Sequence, residues 1–426
     1  MLLYASLSKF GRSVHHFVDM ISEQVDVLVI GAGPSGAVAA SILHKQGVKL
    51  KVIEREHFPR FVIGESLIPR CMDHFDEAGF VEAVEAKGFE RKYGARFLRG
   101  DEVCWFDFSQ KFSAGWDWTW QLPRAEFDKT LTDVLQARGV NIAFGTTVEN
   151  VVFHGTDSVT TVRDENGGQR EIHARFLIDC SGYGRVLPRL FDLDEPSKFP
   201  PMAATFVHVE DPRRPLGEEG TLITFDVLEQ KVWFWVIPFS DGRSSLGLVC
   251  PKEHLEAIQK GSSTETFQYI ISQSDYYRQR FEGIDFLFEP KQIVAYTKAS
   301  KKLYGDGFAI TGNSAEFLDP VFSSGVCFAT ESGSKAAKLA IRQLQGEAVD
   351  WQQEYEDHML WGVSVFRSYI RDWYSGDLQK FFFHKEVNED VRRKVCSVLA
   401  GYVWDKDNPF VKKHDRAVRA VTHMLP

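Results

Sequence analysis

The sequence has little cysteine and no cluster of metal-ligand residues. Its six cysteines are scattered over 426 residues without a C-x-x-C pair. This spacing excludes the common zinc and iron–sulfur centres and a disulfide framework. We therefore expect no metal, reduced thiols and a cytoplasmic location.

The chain also lacks an excess of positive charge and a membrane-spanning apolar run. Its formal net charge is −9, which argues against nucleic acid as a partner. Val25 to Leu43 is apolar enough to suggest a membrane span, but its Gly and Pro residues and its strand-then-helix pattern exclude one. Residues 1–24 show no clear signal-peptide cleavage site, so we expect them to form an N-terminal extension before a core that begins at Val25.

Glycine is concentrated in one informative place, Gly31-Ala32-Gly33-Pro34-Ser35-Gly36. A β-branched run precedes this segment, an alanine-rich helical pattern follows it, and a second strand then ends on Glu54. In such a βαβ unit, Gly31 permits the turn, Gly33 lets the backbone approach a pyrophosphate, and Gly36 lets the helix lie close to the strand. Glu54 is placed to accept hydrogen bonds from ribose hydroxyls. The segment predicts dinucleotide binding; the alternative is a glycine-rich turn in an ordinary α/β unit.

Two segments far from this fingerprint indicate which dinucleotide is bound. Arg124 lies in LPRAEFDKTL, and Asp179 begins the segment DCSG. Together with residues 305–320 and the fingerprint, they resemble the FAD-dependent monooxygenase superfamily of the p-hydroxybenzoate hydroxylase type. One departure is Gly312-Asn313, where that family carries Gly-Asp. The resemblance implies FAD contacts at Gly31, Gly33, Ser35, Gly36, Glu54, Arg55, Ile63, Gly64, Glu65, Ser66, Arg124, Asp179, Gly312, Asn313, Pro320, Gly325 and Val326.

Two further motifs match the flavin-dependent halogenases. Trp233, Trp235, Ile237 and Pro238 form W-x-W-x-I-P, and residues 317–325 form F-x-x-P-x-x-S-x-G. Small residues before a helix present backbone N–H groups that can hold an anion. The resemblance implies that the amides of Ser324 and Gly325 bind halide. In an ordinary hydroxylase the same amides could hold the flavin pyrimidine, and the tryptophans could be core residues of a strand.

Lys92 is the candidate catalytic residue. It occupies the position at which phenol and pyrrole halogenases, which this chain resembles, carry a lysine. In those enzymes reduced FAD and O2 form a peroxide, halide attacks it, and hypohalous acid passes to the lysine. The neighbouring Arg91 leaves the register uncertain by one residue, and a solvated Arg–Lys surface pair is the alternative. Residues 59–69 also resemble the phenol and pyrrole group, and Phe322 replaces an acid of the tryptophan halogenases, which disfavours tryptophan as substrate.

The predicted fold is α/β, with a three-layer βαβ FAD-binding domain of the p-hydroxybenzoate hydroxylase type interleaved with an antiparallel β-sheet substrate domain. We expect the FAD-binding domain at residues 25–80, 124–190 and 290–345. The substrate domain is expected at 81–123 and 191–289, and a helical C-terminal region at 346–426.

The predicted function is reduced-FAD- and O2-dependent halogenation of a phenol or pyrrole, either free or bound to a carrier protein. Because no second dinucleotide fingerprint occurs, we expect a separate NAD(P)H-dependent flavin reductase as partner. One alternative is an FAD-dependent monooxygenase or dehydrogenase without halogenating activity, and another is a flavin-binding protein without catalysis. A basic patch near the C-terminus could dock an acidic carrier protein or could simply be a solvated face: Lys412, Lys413, Arg416 and Arg419.

Overall fold

The computed structural model describes residues 22–196, 199–386 and 388–425. Most of the expected N-terminal extension, residues 1–21, lies outside this part of the chain. The first strand begins at Ser22, three residues before the expected start of the core. Residues 22–24 continue the strand because they pair with residues 171–173.

Strands and helices alternate over the first half of the chain, and helices dominate the last quarter. In the described residues the strands are β1 (Ser22–Ile30), β2 (Leu50–Ile53), β3 (Glu90–Lys92), β4 (Gly94–Arg99), β5 (Glu102–Asp107), β6 (Thr119–Gln121), β7 (Ile142–Ala143), β8 (Thr146–His154), β9 (Asp157–Asp164), β10 (Gln169–Asp179), β11 (Asp194–Glu195), β12 (Met202–Glu210), β13 (Thr224–Glu229), β14 (Val232–Pro238), β15 (Arg243–Pro251), β16 (Lys291–Val294), β17 (Lys298–Ser300), β18 (Tyr304–Gly305), β19 (Phe308–Ile310) and β20 (Glu316–Phe317). The helices are α1 (Pro34–Lys45), α2 (Arg70–Ala78), α3 (Val81–Glu85), α4 (Arg124–Ala137), α5 (Val186–Leu190), α6 (Glu218–Thr221), α7 (Lys252–Ile258), α8 (Ser263–Ser272), α9 (Asp275–Phe281), α10 (Gly312–Ala315), α11 (Ser324–Leu344), α12 (Asp357–Ser375), α13 (Asp377–Phe383), α14 (Glu389–Leu399), α15 (Pro409–Lys412) and α16 (Ala417–Thr422).

The first sheet has the order β18-β19-β10-β1-β2-β7, with β9 and β8 joined to β10 on a side branch. Strand β1 pairs in parallel with both β10 and β2. Val27, Leu28 and Val29 are fully buried, as expected for a parallel strand covered on both faces. Helices α1 and α11 pack together against this sheet. The carboxyl ends of β1, β2 and β10 therefore meet at one edge, where an α/β sheet binds its ligand.

The second sheet has the order β16-β12-β15-β14-β13-β4-β5 and is antiparallel except for the pair β13–β4. Alternation along β14 divides its side chains between two faces. Trp233, Trp235 and Ile237 belong to the main core, whereas Phe234 and Val236 pack in a separate core beneath α8 and α9. The two tryptophans of the motif thus face the first sheet and the cavity between the sheets.

The interleaved α/β architecture and the helical C-terminal region are confirmed, but one boundary was predicted wrongly. Strand β16 was expected in the FAD-binding domain that restarts at residue 290. It pairs instead with β12 at the edge of the second sheet, and the chain returns to the first sheet only at β18 and β19. In the described residues, none of the helices is both long and apolar enough to span a membrane.

Candidate functional site

A cavity of about 380 Å3 lies where the carboxyl ends of the parallel strands face the inner side of the second sheet. The glycine fingerprint forms one end and the aromatic motif of β14 forms the other. The structure brings most of the predicted site residues together in the wall of this cavity. Of the predicted site residues, the cavity is lined by Gly31, Gly33, Ser35, Glu54, Arg55, Ile63, Gly64, Glu65, Ser66, Arg124, Trp233, Trp235, Ile237, Gly312, Asn313, Pro320, Gly325 and Val326.

The fingerprint turn is shaped by close backbone packing. Gly31 has φ +100°, and a Cβ at this position would lie 2.4 Å from the carbonyl oxygen of Cys180. A Cβ on Gly36 would lie 1.9 Å from the Gly31 carbonyl oxygen, so Gly36 serves the packing of α1 and does not line the cavity. Gly33 has only a side-chain atom of Arg60 near its Cβ position. Its backbone is therefore open to a ligand at the N-terminus of α1, where unpaired N–H groups favour phosphate.

Glu54 closes this end of the cavity. Its Oε2 accepts a hydrogen bond from the Ala32 amide at 2.9 Å, and its Oε1 accepts one from the Glu56 amide at 3.0 Å. These bonds hold the carboxylate in place at the end of β2. Each carboxylate oxygen can accept a further bond, which fits the ribose contact that we predicted.

Arg124 is buried in the wall and held by Asp128. Its Nε and Nη2 donate to the two carboxylate oxygens of Asp128 at 2.8 and 2.9 Å. Asp128 also accepts a bond from Arg60 Nη1 at 2.9 Å. One carboxylate thus orients two cavity-lining guanidinium groups, which together carry a net positive charge suited to an anionic cofactor. Arg60 lies within the motif at residues 59–69, but no role of its own was predicted for it.

Asp179 was predicted to contact the cofactor, but it lies behind the cavity wall. The backbone amides of Ser181 and Leu187 donate to its two oxygens at 2.9 and 2.8 Å. Burial raises the pKa of the Asp179 carboxyl, and these hydrogen bonds oppose the shift. Its carboxylate therefore shapes the loop that follows β10, and residues of that loop line the cavity instead: Cys180, Ser181, Gly182, Tyr183 and Gly184.

The loop before α2 carries a buried acid at the aromatic end of the cavity. Glu65 Oε1 accepts a hydrogen bond from His208 Nε2 at 2.7 Å. Its Oε2 is buried and has no hydrogen-bond partner among the described residues. A buried carboxylate oxygen without a donor is costly, so a ligand that brings an N–H or O–H group here would satisfy it. The flavin ring and ribityl chain carry such groups, and the residues present therefore fit FAD.

Three of the four residues of the W-x-W-x-I-P motif on β14 line the cavity, and the fourth does not. Trp233, Trp235 and Ile237 line the cavity. Pro238, also predicted for the motif, lies in the sheet, and its carbonyl accepts a bond from Gln121 at 2.8 Å. A Cβ on Gly247 would lie 2.2 Å from the Trp235 ring, so this ring lies flat across β15.

The predicted halide loop precedes a long helix. Ser323 has φ +56° and is followed directly by α11, which begins at Ser324. The first amides of a helix have no partner within it, and the first turn of α11 contains no acid that would compete for an anion. Gly325 lines the cavity, whereas the Ser324 side chain is buried outside the lining. Asp319 caps the preceding 3-10 turn by accepting a bond from the Val321 amide at 3.0 Å.

Lys92 is buried, with 1% of its surface exposed. Its Nζ donates to Ser66 Oγ at 2.8 Å and to the Leu67 carbonyl at 2.7 Å, and lies 5.6 Å from the centre of the Phe108 ring. Burial lowers the pKa of this amine from 10.5 to about 7. Arg91 instead is exposed and pairs with Glu85, so Lys92 does not belong to a solvated surface pair.

The sequence did not identify two residues of the site, Tyr183 and Asp319, as functional. Tyr183 lines the cavity and packs its ring against Phe317 at 5.4 Å. Asp319 lies within the motif at residues 317–325, where no role was predicted for it, yet it is buried and accepts hydrogen bonds from two tyrosines. Both are tertiary contacts between segments distant in sequence, and no local pattern identifies them. Among the described residues, no group of three or more His, Cys, Asp or Glu is arranged to hold a metal ion.

The chain is similar to known FAD-binding proteins. The FAD binding domain family model matches residues 24–269. A 1H-pyrrole-2-carbonyl-[peptidyl-carrier protein] brominase of Pseudoalteromonas luteoviolacea is 28% identical over 89% of this chain and 92% of its own. A tryptophan 2-halogenase of Chondromyces crocatus is 30% identical over 80% of this chain and 67% of its own. The crystal structure of a flavoprotein/dehydrogenase from Cytophaga hutchinsonii is 52% identical, with a TM-score of 0.93, and covers 95% of this chain and 99% of its own.

Proposed function

Because the chain belongs to the flavin-dependent halogenase family within the FAD-dependent monooxygenase superfamily, we propose that it halogenates an electron-rich aromatic compound, a phenol or a pyrrole. Family membership makes FAD and a halide ion its cofactors. The observation that carries the proposal is the buried Lys92 amine, whose pKa of about 7 leaves a large neutral fraction at physiological pH.

In this proposal, one set of cavity residues binds FAD and halide, and Lys92 uses the hypohalous acid that forms there. Bound FAD, taken up in its reduced form, supplies the redox chemistry that converts O2 and halide into hypohalous acid. Gly33 and the N-terminus of α1 would hold the pyrophosphate of FAD, Glu54 would hold its ribose, and Arg124 and Arg60 would offset its negative charge. The first amides of α11 hold the halide.

Lys92 transfers the halogen. Its neutral amine takes the halogen from hypohalous acid, and an N–H proton leaves with the hydroxide as water. The resulting haloamine gives its halogen to an aromatic carbon, and the proton lost from that carbon restores the amine. Ser66 supports this route because it both lines the cavity and accepts a hydrogen bond from Lys92 Nζ. Ser66 therefore connects the cavity wall to the Lys92 amine, which does not itself line the cavity.

The surroundings of Phe322 support a phenol or pyrrole as the substrate. This side chain packs against Tyr369 and Trp373, with ring centres 6.4 and 6.0 Å away. It offers no carboxylic acid as a partner for hypohalous acid, unlike the acid that the tryptophan halogenases carry at this position. A phenol or pyrrole, free or on a carrier protein, therefore fits better than tryptophan. The exposed basic residues of the C-terminal patch supply a surface on which an acidic carrier could dock.

A separate flavin reductase and a cytoplasmic location remain parts of this proposal.

The 52% identical flavoprotein/dehydrogenase supports a second candidate function. In that case the same FAD site would serve oxidation of a substrate without halogen transfer. The two candidates differ in whether the Lys92 amine is needed for the product.

The test supplies purified protein with FAD, a flavin reductase, NADH, O2 and bromide, and analyses a panel of phenols and pyrroles by mass spectrometry. We expect brominated products from the wild type and none from Lys92→Ala, with unchanged FAD oxidation in both. Arg91→Ala is the matched control, since Arg91 is the exposed neighbour in the same strand, and it should retain bromination. Oxygenated or dehydrogenated product in place of brominated product from the wild type would establish the second candidate.

A further inference from the structure

A hydrogen-bonded chain joins the aromatic motif to the halide loop through the C-terminal helical region. Trp233 Nε1 donates to the Tyr374 hydroxyl at 3.1 Å, and Tyr374 donates to Asp319 Oδ2 at 3.0 Å. Tyr296 donates to the same oxygen at 3.0 Å. The chain connects β14, α12 and the segment before α11, which lie 141 and 55 residues apart in sequence.

Asp319 connects this hydrogen-bonded chain to the backbone of the turn that precedes α11. Its other oxygen, Oδ1, accepts the Val321 amide and so caps the turn Pro320–Phe322. The turn ends at Ser323 in the left-handed region, and α11 starts at the next residue. A residue without a glycine's freedom holds such a conformation only when its surroundings impose it. The Asp319 carboxylate thus helps to hold the turn from which α11 starts.

We propose that Tyr374 is a positioning residue for halide binding, which acts by orienting Asp319 and through it the amides of Ser324 and Gly325. The inference rests on the proposed function, because it takes these amides as the halide site. It also accounts for Trp233, whose indole N–H orients the Tyr374 hydroxyl in addition to the packing of its ring in the cavity wall.

The charge of Asp319 makes both tyrosine bonds strong. Burial raises the pKa of this carboxyl to about 6, and bonds from Val321, Tyr296 and Tyr374 oppose the shift. At pH 7.5 the group is therefore a carboxylate, and hydrogen bonds to an ionised acceptor are stronger than neutral ones. Among the described residues, loss of the Tyr374 hydroxyl leaves Tyr296 as the remaining side-chain donor to Oδ2, and the carboxylate can turn away from the Val321 amide.

The experiment compares Tyr374→Phe with Tyr369→Phe. Tyr369 lies on the same helix and is fully buried, but its hydroxyl has no hydrogen-bond partner in the described part of the chain, so its replacement controls for loss of a tyrosine hydroxyl as such. Sodium bromide is titrated into each FAD-loaded protein at pH 7.5 and constant ionic strength, and the flavin absorption change gives the bromide Kd. FAD affinity is measured separately by quenching of flavin fluorescence.

We expect Tyr374→Phe to raise the bromide Kd at least fivefold with an FAD Kd within twofold of wild type, and Tyr369→Phe to leave both unchanged. An unchanged bromide Kd in Tyr374→Phe would overturn the inference and leave the proposed function standing. An equal loss of FAD affinity would also overturn it, because the hydroxyl would then support the whole cavity. If the wild type gives no saturable bromide response, the proposed function itself fails.

Discussion

Lys92→Met should stabilise the fold while removing halogen transfer. The amine is buried between Ser66, Leu67 and the Phe108 ring, and the wild-type protein must either keep an ammonium ion there or release its proton. Methionine has a similar length, fills the same space and carries no charge. Burial of the Lys92 amine therefore lowers the free energy of unfolding of the wild type, and the Lys92→Met variant avoids this loss.

The size of this effect follows from the pKa. In the folded protein the pKa of Lys92 is about 7, against 10.5 in the unfolded chain. Because the folded value is the lower one, the unfolded chain binds more protons between these values, and wild-type stability rises with pH across that window. Below pH 7 the full penalty applies, which at 1.36 kcal/mol per unit is about 5 kcal/mol. Between pH 6 and pH 9 the advantage of the variant should shrink by about 3 kcal/mol.

The assay is denaturant unfolding of both proteins at pH 6 and pH 9, followed by tryptophan fluorescence. Lys111→Met is the control: Lys111 is also buried, but its amine donates to the Gly115 carbonyl and pairs with Asp117, so this variant should lose stability. A Lys92→Met protein that is less stable than wild type at pH 6, or whose advantage does not change with pH, would refute the reasoning that burial depresses the pKa of this amine.

Two further predictions concern the fold around the site. Gly31→Ala should lose bound FAD and about 1–3 kcal/mol of stability, because its Cβ would meet the Cys180 carbonyl oxygen at 2.4 Å. The FAD content of the purified protein and its thermal unfolding test this prediction. The control is Gly47→Ala, whose φ is also positive but whose Cβ would meet nothing within 4 Å. Equal losses of FAD and of stability in the two variants would contradict the prediction. Glu331→Gln should destabilise the protein by about 3–5 kcal/mol at pH 7.5, since this buried carboxylate accepts bonds from Arg70, His74 and His358. Although burial would raise its pKa, these partners hold the pKa of Glu331 well below its usual range. The difference in stability from wild type should therefore narrow as the pH falls below about 4. A difference that stays constant in thermal unfolding as the pH is lowered from about 4 to about 2 would contradict it.

Much of the cofactor end of the site could be predicted from sequence because its determinants are local. A turn that needs a positive φ requires glycine, as at Gly31, and a helix that touches a strand requires another, as at Gly36. Glu54 could be placed because it ends the strand that follows. The aromatic and halide motifs were located for the same reason, since each occupies one continuous segment of ten residues or fewer.

The predictions from sequence were wrong where contacts between distant segments decide what a side chain binds or which sheet a strand joins. Asp179 carries the expected residue type at the expected strand end, but its carboxylate is used by the amides of the following loop and does not reach the cavity. Strand β16 was assigned to the wrong sheet because its four residues contain no signal for the partner strand, and pairing with β12 is a long-range choice. The start of β1 was placed too late because residues 22–24 become a strand only by pairing with β10.

The sequence by itself determined that a dinucleotide binds at a βαβ turn, because backbone sterics at the glycines encode that turn. Its short continuous motifs carried the resemblance that identified the dinucleotide as FAD and the protein as similar to the halogenases. Only the tertiary structure decided that Lys92, and not Arg91, is the buried amine, since that depends on Ser66, Leu67 and Phe108 closing around it. The same holds for the chain from Trp233 through Tyr374 to Asp319. Its hydrogen bonds join three segments that meet only after the two sheets and the C-terminal helices have packed together.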